Sequence, residues 1–259
     1  MSRDQGVQSR IWEIEEAAAD AVPAAVVERL SGWRLRFNHG VKRRPNSVLA
    51  NADDGAEDVE AKIAHAEAFY AAHGLRARFQ LSPASVPVTL DAALAARGYL
   101  KPAEPVCVQV APLEMADETP WSAAPGVTLL ERPTETWLGL YSEVEGLTGV
   151  QATALRDTLR QLPGVSIFAL AHDRAGRPAA TGVGVVHRGL LGIFNVATHP
   201  QARRQGLATA LTAELCAWAG RRGAGSAYLQ VAANNTSAQS VYGRLGFRTL
   251  YSYFYREQP

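Results

Sequence analysis

The sequence has few of the features that mark a metal centre, a disulfide framework or a membrane protein. Its 259 residues include only two cysteines, Cys107 and Cys216, far apart and outside any CxxC spacing. Two isolated thiols without a nearby histidine pattern disfavour metal binding and disulfides, so we expect no metal. No apolar run approaches the roughly 20 residues of a membrane span, and the N-terminus lacks an apolar signal core. We therefore expect a cytoplasmic protein.

An excess of charge is also missing. With 26 basic and 25 acidic residues, the formal net charge is +1. No overall field attracts nucleic acid or an anionic membrane, so neither is expected as a partner. Apolar residues make up 47% and charged residues 20%, which is typical of a globular chain. We expect a monomer or a homodimer.

A proline-containing stretch with little periodicity, residues 111–126, predicts a domain boundary. We expect a first lobe at 1–115, a linker at 116–125 and a second lobe at 126–259. The second lobe alternates strand and helix patterns, which indicates an α/β (α+β) sheet flanked by helices. Gly74 and Gly98 are 24 positions apart, and Gly223 and Gly246 are 23 apart, each pair around a strand and a helix. Duplication explains this spacing; chance recurrence of common α/β turns is the alternative.

The stretch 203–208, Arg-Arg-Gln-Gly-Leu-Ala, lies between a predicted strand at 190–198 and a predicted helix. Apolar residues at Leu207, Leu211, Leu215 and Trp218 keep one face of that helix apolar. The first turn of a helix has unpaired N–H groups and a partial positive charge, and Gly206 would let an anion approach the backbone. The stretch predicts a diphosphate site. An ordinary connection with two solvated arginines is the alternative.

The corresponding place in the first lobe, residues 51–58, carries four carboxylates and no basic residue. Acids at a helix N-terminus complement the helix dipole, but they repel a diphosphate. We therefore expect only the second lobe to hold an anionic cofactor.

Two motifs about 30 residues apart resemble those of the GCN5-related N-acetyltransferase (GNAT) superfamily. The cofactor motif Gln/Arg-x-x-Gly-x-Gly/Ala is matched by Arg203, Gly206 and Ala208. The later motif, Asn-x-x-Ala-x-x-Leu-Tyr-x-x-x-Gly-Phe, is matched by Asn235, Ala238, Tyr242, Gly246 and Phe247, with Val241 in place of leucine. The resemblance covers roughly residues 126–256. It implies the acyl-CoA N-acyltransferase fold, with a mixed, mostly antiparallel twisted sheet, two GNAT-like lobes and a degenerate first lobe.

The resemblance also implies acetyl-CoA as cosubstrate. In the family, a splayed strand binds pantetheine and the following loop and helix start bind pyrophosphate. The implied cofactor-binding residues are Val196, Ala197, Thr198, Arg203, Arg204, Gln205, Gly206, Leu207, Ala208, Thr209 and Asn235. Asn235 is an equally good helix N-cap.

Tyr242 is the expected catalytic acid, because family members use a tyrosine at this position to stabilise or protonate the leaving thiolate. A buried core aromatic is the alternative.

The residues suggest no single catalytic base. The family's glutamate position holds Gln230, which cannot accept a proton at neutral pH. Glu143 and Glu145 are the candidate bases. The alternatives are that both are solvated surface charges, or that a water chain takes the proton. His199 is expected to be a loop residue.

No cysteine or serine is paired with a base, which favours direct transfer of acetyl to a primary amine of a small molecule or protein. The rival hypothesis is a non-catalytic acyl-CoA-binding or regulatory module, which Gln230 supports. NAD binding is disfavoured because Gly-x-Gly-x-x-Gly is absent.

Two patterns outside the motifs leave alternatives open. The alternation at Trp33–Phe37 predicts a strand with Arg34 and Arg36 on a solvated face; with Lys42, Arg43 and Arg44 they could instead bind an acidic substrate. Tyr251, Tyr253 and Tyr255 share one face of the last strand. They would line an acceptor pocket or form a half-buried aromatic face against the first lobe.

Overall fold

A computed structural model describes residues 3–102, 104–113, 126–163 and 165–259. The helices are α1 (Arg3–Ala21), α2 (Val59–Ala72), α3 (Leu90–Ala96), α4 (Glu135–Glu145), α5 (Val150–Arg160), α6 (Leu207–Gly220) and α7 (Thr236–Arg244). The strands are β1 (Val26–Leu30), β2 (Trp33–Phe37), β3 (Val48–Leu49), β4 (Arg78–Leu81), β5 (Val106–Pro112), β6 (Val127–Leu130), β7 (Val165–His172), β8 (Pro178–His187), β9 (Leu190–Thr198), β10 (Ser226–Ala232) and β11 (Arg248–Glu257). The predicted linker, 116–125, lies outside the described residues.

Two compact units make up the chain. The first contains Met1–Cys107, Ala232–Asn234 and Leu250–Pro259, and the second contains Val108–Val231 and Asn235–Thr249. The sequence predicts a single lobe over residues 126–259. In the structure, the last ten residues belong to the first unit, whose sheet they complete.

The sheet of the first unit has the strand order β1-β2-β3-β4-β11. β1 and β2, β2 and β3, and β4 and β11 pair antiparallel. β3 and β4 pair in parallel, because α2 carries the chain back between them.

The sheet of the second unit has the order β5-β10-β9-β8-β7-β6. β6 to β9 form an antiparallel meander, and β9 and β10 are parallel, with α6 between them in sequence. Each unit therefore contains an antiparallel strand pair followed by a strand–helix–parallel strand element and a short helix. The duplication predicted from the glycine spacing is present in this topology, and both sheets are mostly antiparallel.

In the first unit, the two faces of β2 meet different surroundings. Trp33 and Leu35 belong to the apolar core that α2 and α3 cover. Arg34 and Arg36 point to the opposite face. There Arg34 forms ion pairs with Glu16 and with Asp20 of α1, the latter at 2.6 Å.

The expected solvated face of β2 was therefore wrong. Arg34 is 7% exposed and Arg36 is 4% exposed. α1, which no local pattern in the sequence predicts, covers them and supplies carboxylates. These two arginines are not available to an acidic substrate, and Arg43 donates to Glu257 at 2.9 Å within the same unit.

In the second unit, α6 packs closely on β8. A Cβ at Gly182 would lie 2.3 Å from a Leu211 methyl carbon, and one at Gly184 would lie 3.2 Å from Leu215. The glycines thus let the helix approach the sheet. α4 packs against β8 and β9, and the Trp137 indole N–H donates to the Ala169 carbonyl at 3.0 Å.

Candidate functional site

The parallel pairing of β9 and β10 is short. It runs from Leu190 opposite Ser226 to Ile193 opposite Leu229. β9 continues to Thr198 and β10 to Ala232, and no further pairing joins them among the residues described. The strands separate toward their C-terminal ends, and backbone N–H and C=O groups of β9 are left at an open edge.

A β-bulge lies on β9 where the strands separate. Val183 of β8 is opposite Phe194, but Thr181 is opposite Ala197, so Asn195 and Val196 face the single residue Gly182. Asn195 has a φ of +52°. The bulge bends β9 and removes this segment from the regular ladder.

The loop after β9 forms the predicted helix entrance. Arg204 and Gly206 have φ values of +64° and +80°, and Gly206 is the N-cap of α6. The helical hydrogen bonds begin with Ala210 N–H donating to the Gly206 carbonyl at 2.9 Å. The amides of residues 207–209 precede this bond and have no acceptor one turn earlier in the helix.

The space beside this entrance is open and its charge is positive. A Cβ at Gly206 would meet no atom of the described residues within 4 Å. Arg203 and Arg204 are exposed at the rim. The Gln205 Oε1 atom is buried and has no hydrogen-bond partner within the described part of the chain. The entrance can therefore bind an anion such as a diphosphate.

Tyr242 lies on α7 and is 8% exposed. Burial raises the pKa of its phenol to about 12. Its ring packs edge-on against Phe247 at 6.0 Å, and its hydroxyl has no hydrogen-bond partner in the described ranges. The phenol is thus protonated at neutral pH and its O–H is available to donate.

Asn235 is the N-cap of α7. Its side-chain oxygen accepts from Ala238 N–H at 3.1 Å. Of the two roles considered for Asn235, the structure shows the cap.

Glu143 and Glu145 lie in the last turn of α4, and both are exposed. Glu143 Oε1 is 3.4 Å from His199 Nε2. The Nδ1 atom of His199 accepts from Gln201 N–H at 3.3 Å, so Nε2 carries the proton of the neutral ring and points it at Glu143. His199 caps a short 3₁₀ turn after β9, which fits the expected loop role.

Three residues of this region were missed in the sequence. They are Asn195, Thr181 and Tyr141. Asn195 is the left-handed residue of the bulge, and its carbonyl accepts a hydrogen bond from Thr181 Oγ1 at 3.2 Å. The side-chain amide of Asn195 donates to the phenol of Tyr141. Burial raises the pKa of the Tyr141 phenol. The one available signal was an asparagine inside an apolar strand, since asparagine is enriched at positive φ.

The equivalent entrance in the first unit is occupied by its own carboxylates. Asp53 Oδ1 accepts from the fully buried Lys62 ammonium at 2.9 Å and from Gly55 N–H at 3.0 Å. The Lys62 hydrogen bond is the largest reason that the pKa of Asp53 lies below its usual range. Asp58 caps α2 by accepting from Glu60 N–H.

The three tyrosines of β11 are buried in the first unit. Tyr251, Tyr253 and Tyr255 are 6%, 3% and 5% exposed. Side chains so deeply buried do not line an acceptor pocket, so that alternative was wrong.

Comparison with known proteins identifies relatives over nearly the whole chain. A family model described as "Probable histone acetyltransferase Rv0428c C-terminal" matches residues 8–256. An uncharacterized N-acetyltransferase of Bacillus subtilis (strain 168), YobR, is 31% identical over 248 residues, which cover 95% of this chain and 98% of that protein.

Solved structures show the same fold at lower identity. A GCN5-related N-acetyltransferase from Kribbella flavida superposes with a TM-score of 0.69 at 18% identity, over 96% of this chain and 95% of that one. A tandem GNAT protein from the clavulanic acid biosynthesis pathway gives a TM-score of 0.64 at 17% identity, over 99% of this chain and 95% of that one.

In the described ranges of this chain, no helix is long and apolar enough for a membrane span, and no cluster of His, Cys, Asp or Glu could hold a metal.

Proposed function

Because this chain belongs to the GCN5-related N-acetyltransferase superfamily, we propose that it transfers acetyl from acetyl-CoA directly to a primary amine of a small molecule or protein. One observation carries the proposal. The open edge of β9 leads directly into a helix entrance with free amides and two arginines. An open strand edge suits a ligand with amide groups, and the entrance suits its diphosphate.

Acyl-CoA contains both kinds of group. Its pantetheine amides need backbone partners, which Val196–Thr198 would supply at the open edge. Its diphosphate would take the amides of residues 207–209, with Arg203 and Arg204 adding charge at the rim. The left-handed Gly206 keeps a side chain away from this place.

The protonated phenol of Tyr242 is the proposed acid. Acetyl-CoA supplies the acetyl group as a thioester, and transfer to nitrogen breaks the carbon–sulfur bond. The sulfur leaves as a thiolate and takes a proton from the Tyr242 O–H. A raised pKa keeps that proton on the phenol until it is needed.

The acceptor amine must lose a proton when it becomes an amide. Glu143 is favoured over Glu145 as the group that receives it, because Glu143 lies beside His199 at the end of β9. A carboxylate here would also attract a cationic acceptor.

The test is a continuous assay of free thiol release from acetyl-CoA with a panel of amines, beside calorimetry with coenzyme A. We expect heat on binding and amine-dependent thiol release. Binding without release for any amine would favour the non-catalytic acyl-CoA-binding module, for which Gln230 is the supporting residue. Absence of binding would refute the assigned site itself.

A further inference from the structure

The bulge on β9 needs support from outside the strand. Asn195 adopts a left-handed backbone, which asparagine tolerates better than other residues with a Cβ but which is not the conformation of a regular strand. Asn195 and Val196 also lie outside the regular β8–β9 register. Contacts with neighbouring elements must therefore fix the conformation of this segment.

The first contact is to the main chain. Thr181 of β8 is fully buried, and its Oγ1 donates to the Asn195 carbonyl at 3.2 Å. This bond connects the bulged residue to β8, in whose register Asn195 has no partner. It fixes the direction of the peptide group that leads into Val196.

The second contact is to the side chain. The Asn195 amide donates to the phenol oxygen of Tyr141 on α4. The Tyr141 residue is 5% exposed. The Tyr141 ring stacks on Trp137 at 5.5 Å with planes 16° apart. Trp137 is itself held by the hydrogen bond from its indole to Ala169. A rigid aromatic pair thus presents the phenol to the bulge.

We infer that Tyr141 and Thr181 are positioning residues that hold the Asn195 bulge in the form that binds the acyl donor. The inference rests on the proposed function. Neither side chain needs to touch the donor. Each acts by keeping the backbone groups of Val196–Thr198 at the open edge, and this contribution is the same in the ground state and the transition state.

The test compares Tyr141→Phe and Thr181→Val with the conservative variant Thr181→Ser, which keeps the hydroxyl. Loss of either hydrogen bond should raise the KM for acetyl-CoA and the dissociation constant of coenzyme A by about tenfold. The kcat should stay unchanged, because the lost interaction stabilises the bound ground state and the transition state equally. Thr181→Ser should keep the wild-type KM.

Tyr70→Phe in the first unit is the matched control. Its hydroxyl also bonds to backbone, donating to the Arg36 carbonyl at 2.9 Å, so its removal lowers stability without touching the bulge. A merely structural role would lower kcat through loss of folded enzyme and leave KM alone, as in this control. That result for Tyr141→Phe, or an equal rise of KM in Thr181→Ser and Thr181→Val, overturns the inference. If wild-type protein fails to bind coenzyme A, the proposed function fails instead.

Discussion

The hydroxyl of Tyr251 donates to Glu15 Oε1 at 2.7 Å and so connects the last strand to the first helix inside the first unit. Glu15 Oε2 accepts from Gln80 at 2.6 Å, and Gln80 accepts from Arg36 at 3.0 Å. All of these side chains are buried. The last ten residues are therefore held in the first unit by a buried polar network as well as by pairing of β11 with β4.

Tyr251→Phe should reduce the free energy of unfolding by about 1–3 kcal/mol, because it leaves a buried carboxyl with one donor fewer. Urea unfolding measures this. Tyr242→Phe is the matched control, since its hydroxyl has no partner in the described residues, and it should change the stability by less than about 0.5 kcal/mol. Equal losses in the two variants would contradict the role given to the Tyr251–Glu15 bond.

Glu15 should also give the stability a pH dependence. Burial is the largest cause that raises the pKa of this carboxyl above 4.5. A proton is therefore bound more tightly in the folded than in the unfolded state. The contribution of Glu15 is complete below pH 4.5 and is lost as the pH rises through the folded pKa.

The measurement is the unfolding free energy of wild type minus that of Glu15→Gln between pH 4.5 and 8. This difference should decrease as the pH rises and become constant above the folded pKa. A difference that does not vary across this range would show that the carboxyl titrates alike in both states.

The part of the second unit that would bind the acyl donor, from β9 to α7, could be predicted from the sequence because the residues that specify it are close together in the chain. β9 has the predicted bounds, and α6 follows an apolar periodicity that begins beside Gly206. Asn235 and Tyr242 occur at the spacing of a short capped helix. In each case, the residues that specify the element lie within it or next to it.

The polar half of the first unit could not be predicted in this way. Glu15 and Glu16 of α1 are buried, although charged residues are usually solvent-exposed. Arg34 and Arg36 are buried as well, although their alternation with apolar residues is typical of a strand with one solvent-exposed face. Their partners lie on other elements, up to 236 positions apart for Tyr251 and Glu15. A local sequence pattern shows that a residue is polar, but it does not show which distant residue will form a hydrogen bond or ion pair with it.

Replacing the phenol of Tyr242 tests the proposed acid. Tyr242→Phe should lower kcat by about 10²-fold or more while leaving the KM for acetyl-CoA unchanged. Steady-state kinetics of thiol release measures both. Since the phenol pKa is about 12, ionisation of Tyr242 should cause no fall in the wild-type kcat up to about pH 10. An unchanged kcat in the variant would remove Tyr242 from the mechanism.

Gly206→Ala tests the helix entrance. A Cβ there would meet no described atom within 4 Å, but φ is +80°, so the variant should lose about 1 kcal/mol of stability. Gly223→Ala at the other end of α6 is matched, with a φ of +79° and equally open space. Only Gly206→Ala should also weaken coenzyme A binding, which calorimetry measures. Equal affinity in the two variants would place the diphosphate elsewhere.

The two units should differ in their capacity for the donor, with one coenzyme A bound per chain. The first unit repeats the strand–helix–strand element, but Asp53 is held there by Lys62, and Asp58 caps α2. Asp53 is thus a carboxylate engaged by Lys62, and the Asp58 carboxylate already accepts an amide at the helix entrance, where it would compete with a diphosphate and repel it. Calorimetry should give a stoichiometry of one, and Arg203→Ala with Arg204→Ala should weaken that single event. A second event that survives the double substitution would show that the acidic loop does not exclude the ligand.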